Sequence, residues 1–255
     1  MNHALRILLS LVLLLGVPAA LADDEPLSAR ELFGKSLVKQ MKISPDGKHV
    51  ALTYEEGSEV KLAVMNLSNE RIVGGFEFGD NMHVLNFWWG SDERVVMSVG
   101  EVTGNLDNLG RPGALYAANY DGARRQQIFG QNLSGFQVLD PLPDDDRNIL
   151  IARYHAADGG EPKGNLLDMF DGDLDFLGDQ PVDPDMAGLV ADNDGELRGA
   201  VAVKRGDAFD DVEIRLYVKI GDEWESVDLE SERQRPSVNF LGFSADNEQV
   251  YFASN

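Results

Sequence analysis

Cysteine is missing from all 255 residues, so disulfides, thiol nucleophiles and thiolate metal centres are excluded together. A chain of this length can bury a core without covalent staples, so an exported protein could forgo them. Histidine is scarce. Of the four, His3 sits at the N-terminus, while His49, His83 and His155 lie far apart with no ligand-spaced neighbour. Surface or packing roles are favoured over catalysis for each of them, with His49 read as a half-exposed strand residue and the other two as inter-strand residues. Gly-x-Ser-x-Gly occurs nowhere, so the nucleophile elbow of an α/β-hydrolase is lacking. Basic residues are outnumbered, 22 against 44 acidic, for a net charge of −22. That field argues against nucleic acid and anionic membranes as partners, and solubility accounts for it without any ligand.

Long apolar runs are confined to the start of the chain. Arg6, the apolar residues 7–15 and Ala20-Leu21-Ala22 have the layout of a cleaved secretory signal, residues 1–22, cut after Ala22. The run is short for a membrane span. Export to a bacterial periplasm or cell envelope is the expectation, with no membrane attachment after cleavage. In the N-terminal segment 23–36, Ser28-Ala29-Arg30-Glu31 is a capping box flanked by Leu27 and Leu32, which predicts one short helix.

What the chain does contain is a recurring turn. In Ser44-Pro45-Asp46-Gly47, Pro45 pre-sets the backbone, Asp46 suits the next position and Gly47 supplies positive φ. Apolar residues alternate on either side, Met41 and Ile43 before, Val50 and Leu52 after, as in two half-buried strands. Degraded copies lie at 85–97, 138–151, 188–201 and 240–252. Their turn aspartates, Asp46, Asp92, Asp145, Asp194 and Asp246, are spaced by 46, 53, 49 and 52 residues. A further strand pair follows each hairpin except the last, joined by Gly-centred turns such as Asp121-Gly122 and Gly221-Asp222. An all-β repeat of about 40–50 residues with four strands per unit predicts a β-propeller.

The expected domain from 37 to 255 is a partial propeller of four-stranded antiparallel blades, about four and a half of them. The blades fall near 37–78, 84–130, 135–178 and 186–229, with a half-blade at 238–255 and the ring incomplete. A half-blade leaves an unpaired edge. The expectation is therefore a piece of a longer chain.

Other segments take bland readings. Asp171-Gly172-Asp173-Leu174-Asp175 suggests a calcium loop, but Phe176 and Val182 stand where an EF-hand needs Gly and Glu. With Asp179, Asp183 and Asp185 it reads as a solvated acidic insertion, and Asp144-Asp145-Asp146 as a blade turn. Phe87-Trp88-Trp89 reads as packing between blades. No residue is assigned a catalytic, cofactor-binding or metal-binding role, and no cofactor is expected.

The capped helix and the stretch from Lys39 to Ala51, with Phe87-Trp88-Trp89-Gly90-Ser91-Asp92-Glu93-Arg94-Val95-Val96, resemble the N-terminal region of bacterial prolyl-oligopeptidase-family serine peptidases. Dipeptidyl- and acylaminoacyl-peptidase-like members are included. The resemblance implies a non-catalytic propeller that gates short peptide substrates. It also implies a C-terminal α/β-hydrolase domain as partner, carrying a Ser-Asp-His triad that no residue here matches. Tyr54-Glu55-Glu56 is similar to the paired glutamates that hold a substrate amine in dipeptidyl peptidases, but it follows a hairpin directly rather than lying on a helical insertion. The other reading is a stand-alone periplasmic propeller that binds proteins, as in Tol-Pal systems.

Overall fold

Ser44 and Asp46 together lock the first turn. The Ser44 hydroxyl donates to the Asp46 carboxylate at 2.7 Å and accepts from the His49 amide at 2.9 Å, while the Lys48 amide donates to Asp46 at 3.0 Å. Gly47 takes φ 70°. The half-blade repeats the geometry without proline or glycine. There Ser244 donates to Asp246 at 2.5 Å, the Gln249 amide donates to Ser244 at 2.9 Å, and Asn247 takes φ 56°. In both turns the serine hydroxyl helps hold the aspartate below its ordinary range, behind the Lys48 ammonium at Asp46 and as the leading cause at Asp246.

The structure is a computed structural model that describes residues 38–101, 113–130, 134–206, 212–227 and 238–254. The expected signal segment and capped helix lie outside the described residues. The first sheet runs in chain order through β1 (Val38–Ile43), β2 (His49–Glu56), β3 (Glu59–Asn66) and β4 (Arg71–Phe76). The second runs through β5 (Met82–Trp89), β6 (Arg94–Glu101), β7 (Ala114–Asn119) and β8 (Gln126–Gly130). The third contains β9 (Ser134–Asp140), β10 (Asn148–His155), β11 (Pro162–Asp168) and β12 (Leu174–Phe176). The fourth contains β13 (Met186–Ala191), β14 (Leu197–Arg205), β15 (Val212–Ile220) and β16 (Glu223–Val227). A hairpin of β17 (Val238–Phe243) and β18 (Val250–Ser254) follows. Every pairing is antiparallel between consecutive strands, and the described residues hold no α-helix. The fold is an incomplete β-propeller with four blades and a half-blade.

Alternation puts one face of each blade against the next. Ala51, Leu62, Val64 and Phe76 of the first blade meet Val84, Phe87, Trp89, Val95 and Met97 of the second. Val96, Leu115 and Ile128 meet Ile149, Ile151, Leu167 and Met169 of the third, and Ala152 meets Met186, Leu189 and Ala200 of the fourth. Trp89 and Phe87 thus serve the first seam, and Trp88, on the opposite face, serves the second.

Two glycines allow the blades this close. A Cβ on Gly74 would lie 1.8 Å from the Tyr120 carbonyl oxygen, and one on Gly172, at φ 78°, would lie 2.6 Å from that of Ile128. Both neighbours are backbone and cannot swing aside. Gly74→Ala is therefore expected to destabilise the protein by about 2–3 kcal/mol, at the upper end of overpacking penalties. Gly75→Ala, with open space at its Cβ, is the control. Equal urea midpoints for the two variants would contradict this seam.

The first strand of every blade carries a bulge. The register against the second strand slips by one residue at Lys39, Leu85, Leu139, Ala187 and Leu241, and each time the extra residue is on the first strand. Bulges raise twist and re-aim side chains.

Candidate functional site

Among the described residues, the first strand of a blade pairs with a strand on one side only. First strands of successive blades lie side by side. Across the first seam the Gln40 amide donates to the Leu85 carbonyl at 3.1 Å, and the Trp89 indole donates to the Lys42 carbonyl at 3.0 Å. The Lys42 ammonium bonds the Phe87 carbonyl and Asn86 and lies 5.0 Å from the centre of the Phe87 ring. Burial pushes its pKa down.

Further along, β9, β13 and β17 together wall a groove of about 320 Å³. Gln137, Leu139, Leu189, Val190, Phe240 and Leu241 line it, and no ionisable side chain does. Chemically the groove offers apolar contact, one amide and strand-edge backbone groups. It has no nucleophile paired with a base.

A second cleft of about 420 Å³ opens between the second and third blades, around Asp92, Glu93, Arg94, Arg124, Asp146 and Phe170. Its buried centre is Arg94, 2% exposed. Arg94 donates to Asn119 and to the Arg124 and Met169 carbonyls and stacks 4.3 Å over the Phe170 ring. Burial lowers its pKa, Arg124 adds to that, and Asp168 opposes both. Arg94 is a staple between blades rather than a binding group.

The histidines are not brought together. His49 is buried, not half-exposed, because its ring stacks on Tyr120 of the next blade at 4.2 Å. His83 lies within β5 rather than between strands, and its Nδ1 accepts from the Val60 amide at 3.2 Å. His155 ends β10, where its Nδ1 accepts from the Ala157 amide and caps a single 3₁₀ turn. Glu55 and Glu56 pair with Lys39 and Lys61 at 2.8 and 2.7 Å.

The acidic segment differs most from its reading as a solvated insertion. Asp175 is in β12, and Asp179, Asp183 and Asp185 beyond it form a clip onto the fourth blade. Asp183, 4% exposed, accepts from Tyr217 at 2.6 Å and pairs with Arg215 at 2.7 Å. Arg215 also pairs with Asp185 at 2.8 Å, and Asp179 pairs with Lys219 and accepts from the Trp224 indole. Burial alone would raise the Asp183 pKa, but Tyr217, the Asp185 amide and Arg215 together hold it below its ordinary value. The physical reason for the difference is charge complementarity across a seam, where three basic or phenolic groups alternate along one face of β15. Asp171 pairs with Arg147 at 3.0 Å, and Asp145 caps its own turn through the Arg147 and Asn148 amides. Among the described residues no three His, Cys, Asp or Glu side chains converge to hold a metal ion.

No family model matches the chain, and no curated protein matches it. Its backbone is similar to those of several solved structures. One is a puromycin-hydrolyzing peptidase of Mycobacterium tuberculosis, at 15% identity over 87% of this chain and 34% of that one, TM-score 0.45. Another is TolB of Acinetobacter baumannii, at 14% identity over 84% of this chain and 47% of that one, TM-score 0.41. A third is prolyl oligopeptidase B of Galerina marginata, at 12% identity over 90% of this chain and 33% of that one, TM-score 0.49. The chain thus spans a third to about half the length of these proteins. Likeness at this level concerns the propeller alone, and the fold rests on the sheet order and seams described above.

Proposed function

We propose that this chain is the substrate-gating propeller portion of an exported serine peptidase that hydrolyses short peptides, its α/β-hydrolase domain lying outside this sequence. The observation that carries the reading is an open apolar face at each end of the blade series. On the first blade Met41, Ile43 and Ile72 are 60, 62 and 63% exposed, and on the half-blade Tyr251 is 49% exposed. Equivalent faces at the seams between blades are buried. Surfaces of this kind belong against further blades, which supports a larger propeller. The peptidase assignment adds the sequence resemblance at Lys39 to Ala51 and Phe87 to Val96.

The test is the gene beyond the codon for Asn255. Under this reading the frame continues into further blades and a Gly-x-Ser-x-Gly elbow followed by Asp and His, and the purified product cleaves aminoacyl and prolyl p-nitroanilides. A frame that closes its blades without an elbow, or a product inert to those substrates, overturns it. The second reading, a stand-alone envelope propeller that binds proteins, is favoured by one feature. The Ser-x-Asp turn of residues 44–49 is rebuilt at 244–249 with the same hydrogen bonds, as in a propeller whose hairpins recur from blade to blade.

A further inference from the structure

We infer that the cleft between the second and third blades binds a small zwitterion, an α-amino acid or a short peptide with both termini free. Two buried donors line it without an acceptor among the described residues. The first is Ser91, 4% exposed, whose oxygen accepts from the Glu93 and Arg94 amides at 3.3 and 3.2 Å while its proton goes unused. Ser44 and Ser244, in the matching turns of other blades, donate to the aspartate two residues on, at 2.7 and 2.5 Å. In the second blade that position is Glu93, which takes no such bond, so the hydroxyl proton is left to the cleft. The second donor is Arg94. Its terminal nitrogens are spent on neutral oxygens of the seam, and its Nε is buried without a partner. A buried cation among neutral acceptors leaves positive charge beside the cavity, which a carboxylate would balance. The staple also holds the carbonyl of Arg124, and the exposed Arg124 guanidinium lines the cleft with no ion pair among the described residues. Opposite charge rings the same cavity. Asp92, Glu93 and Asp146 line it, exposed and likewise without an ion pair among the described residues. Three carboxylates would repel phosphate or any other simple anion, yet they suit an ammonium carried on the same molecule as the carboxylate. A ligand of both charges satisfies both walls. At about 420 Å³ the cavity is at the small end of ligand pockets, a size for an amino acid or a dipeptide.

Isothermal titration calorimetry of the 255-residue protein tests this, with alanine and alanyl-alanine as probes beside the N-acetyl and amide forms of each. The better-bound zwitterion is expected to exceed both of its blocked forms at least tenfold, and its identity tells an amino acid from a peptide. Arg124→Gln should weaken it at least tenfold, and so should the double variant Glu93→Gln with Asp146→Asn. Their circular dichroism melts should be unchanged, since these three side chains are exposed and make no hydrogen bond or ion pair among the described residues. Arg71→Gln, at an exposed position of the first blade, should leave binding unchanged. No saturable binding, or an indifferent Arg124→Gln, overturns the inference. So does an N-acetyl form as tight as its zwitterion, which would leave a simple anion site, or an amide as tight, which would leave a cation site. The gene test of the peptidase reading is untouched by any of these results, because every residue lining the cleft belongs to the second and third blades.

Discussion

Phe87→Ala should lower the free energy of unfolding by about 3–5 kcal/mol, the range for a fully buried aromatic ring. The ring is 0% exposed and sits where both sheets of the first seam meet, among Leu62, Val64, Trp89 and Met97. It also lies under the half-buried Lys42 ammonium, 5.0 Å from the ring centre. Truncation therefore removes core volume and a cation–π contact together. Urea unfolding followed by tryptophan fluorescence reads the loss directly, because Trp88 and Trp89 are adjacent in sequence. A shift below about 1 kcal/mol would mean that the first two blades do not share a core.

Arg215→Met should be the next most damaging change, by about 2–3 kcal/mol at neutral pH. That is somewhat under the ~3–5 kcal/mol of a wholly buried pair, because the guanidinium is about a third exposed. The variant strands the Asp183 carboxylate, whose side chain is 1% exposed. In the unaltered protein the lowered Asp183 pKa contributes stability that is present above the ordinary carboxylate value of 3.8 and is lost as pH falls through the folded-state value. Loss of the cation removes one of the three groups that hold the pKa down and leaves Tyr217 and the Asp185 amide against burial, so the folded-state pKa rises relative to the unaltered protein. The gap between the two proteins should narrow in acid, where the variant's carboxylate takes up its proton first, and urea midpoints followed from pH 7 into the acid range measure it. A gap that stays constant with pH would show that Arg215 acts through packing of its stem rather than through charge.

The hairpins were legible because each is a local object. Gly47, Gly122, Gly195 and Gly221 all take positive φ where Gly-centred turns were expected. The third copy hid its geometry. There Leu142, not a glycine, adopts φ 48°, and no propensity rule points to leucine. Glu70 and Arg124 do the same in the outer turns of the first two blades. In the fourth copy Asp192, rather than the marker Asp194, accepts from the turn amides. Bulges were invisible for a different reason: counting residues on two strands requires their register, which pattern alone leaves open. The acidic clip carried a usable signal that went unread, since Arg215, Tyr217 and Lys219 alternate on one strand and match Asp179, Asp183 and Asp185. The groove had none. Its strands begin about 50 residues apart, and only the stacking of blades brings Gln137, Leu189 and Leu241 together.

The seams are unequal, and the inequality runs in chain order. Large apolar clusters close the first two, a smaller one closes the third, and the fourth is tied by Asn193, Asn247 and Arg198 hydrogen bonds beside Phe240 and Phe243. Among the described residues the main apolar seams join successive blades, so this stretch behaves as a series of couplings whose strength falls along the chain. Amide hydrogens of β17 and β18 would exchange first and those of β2 and β6 last. During synthesis the opposite order holds: the strongest coupling is complete while the weakest has yet to leave the ribosome. A growing chain therefore always adds its next blade to a surface already firm enough to receive it.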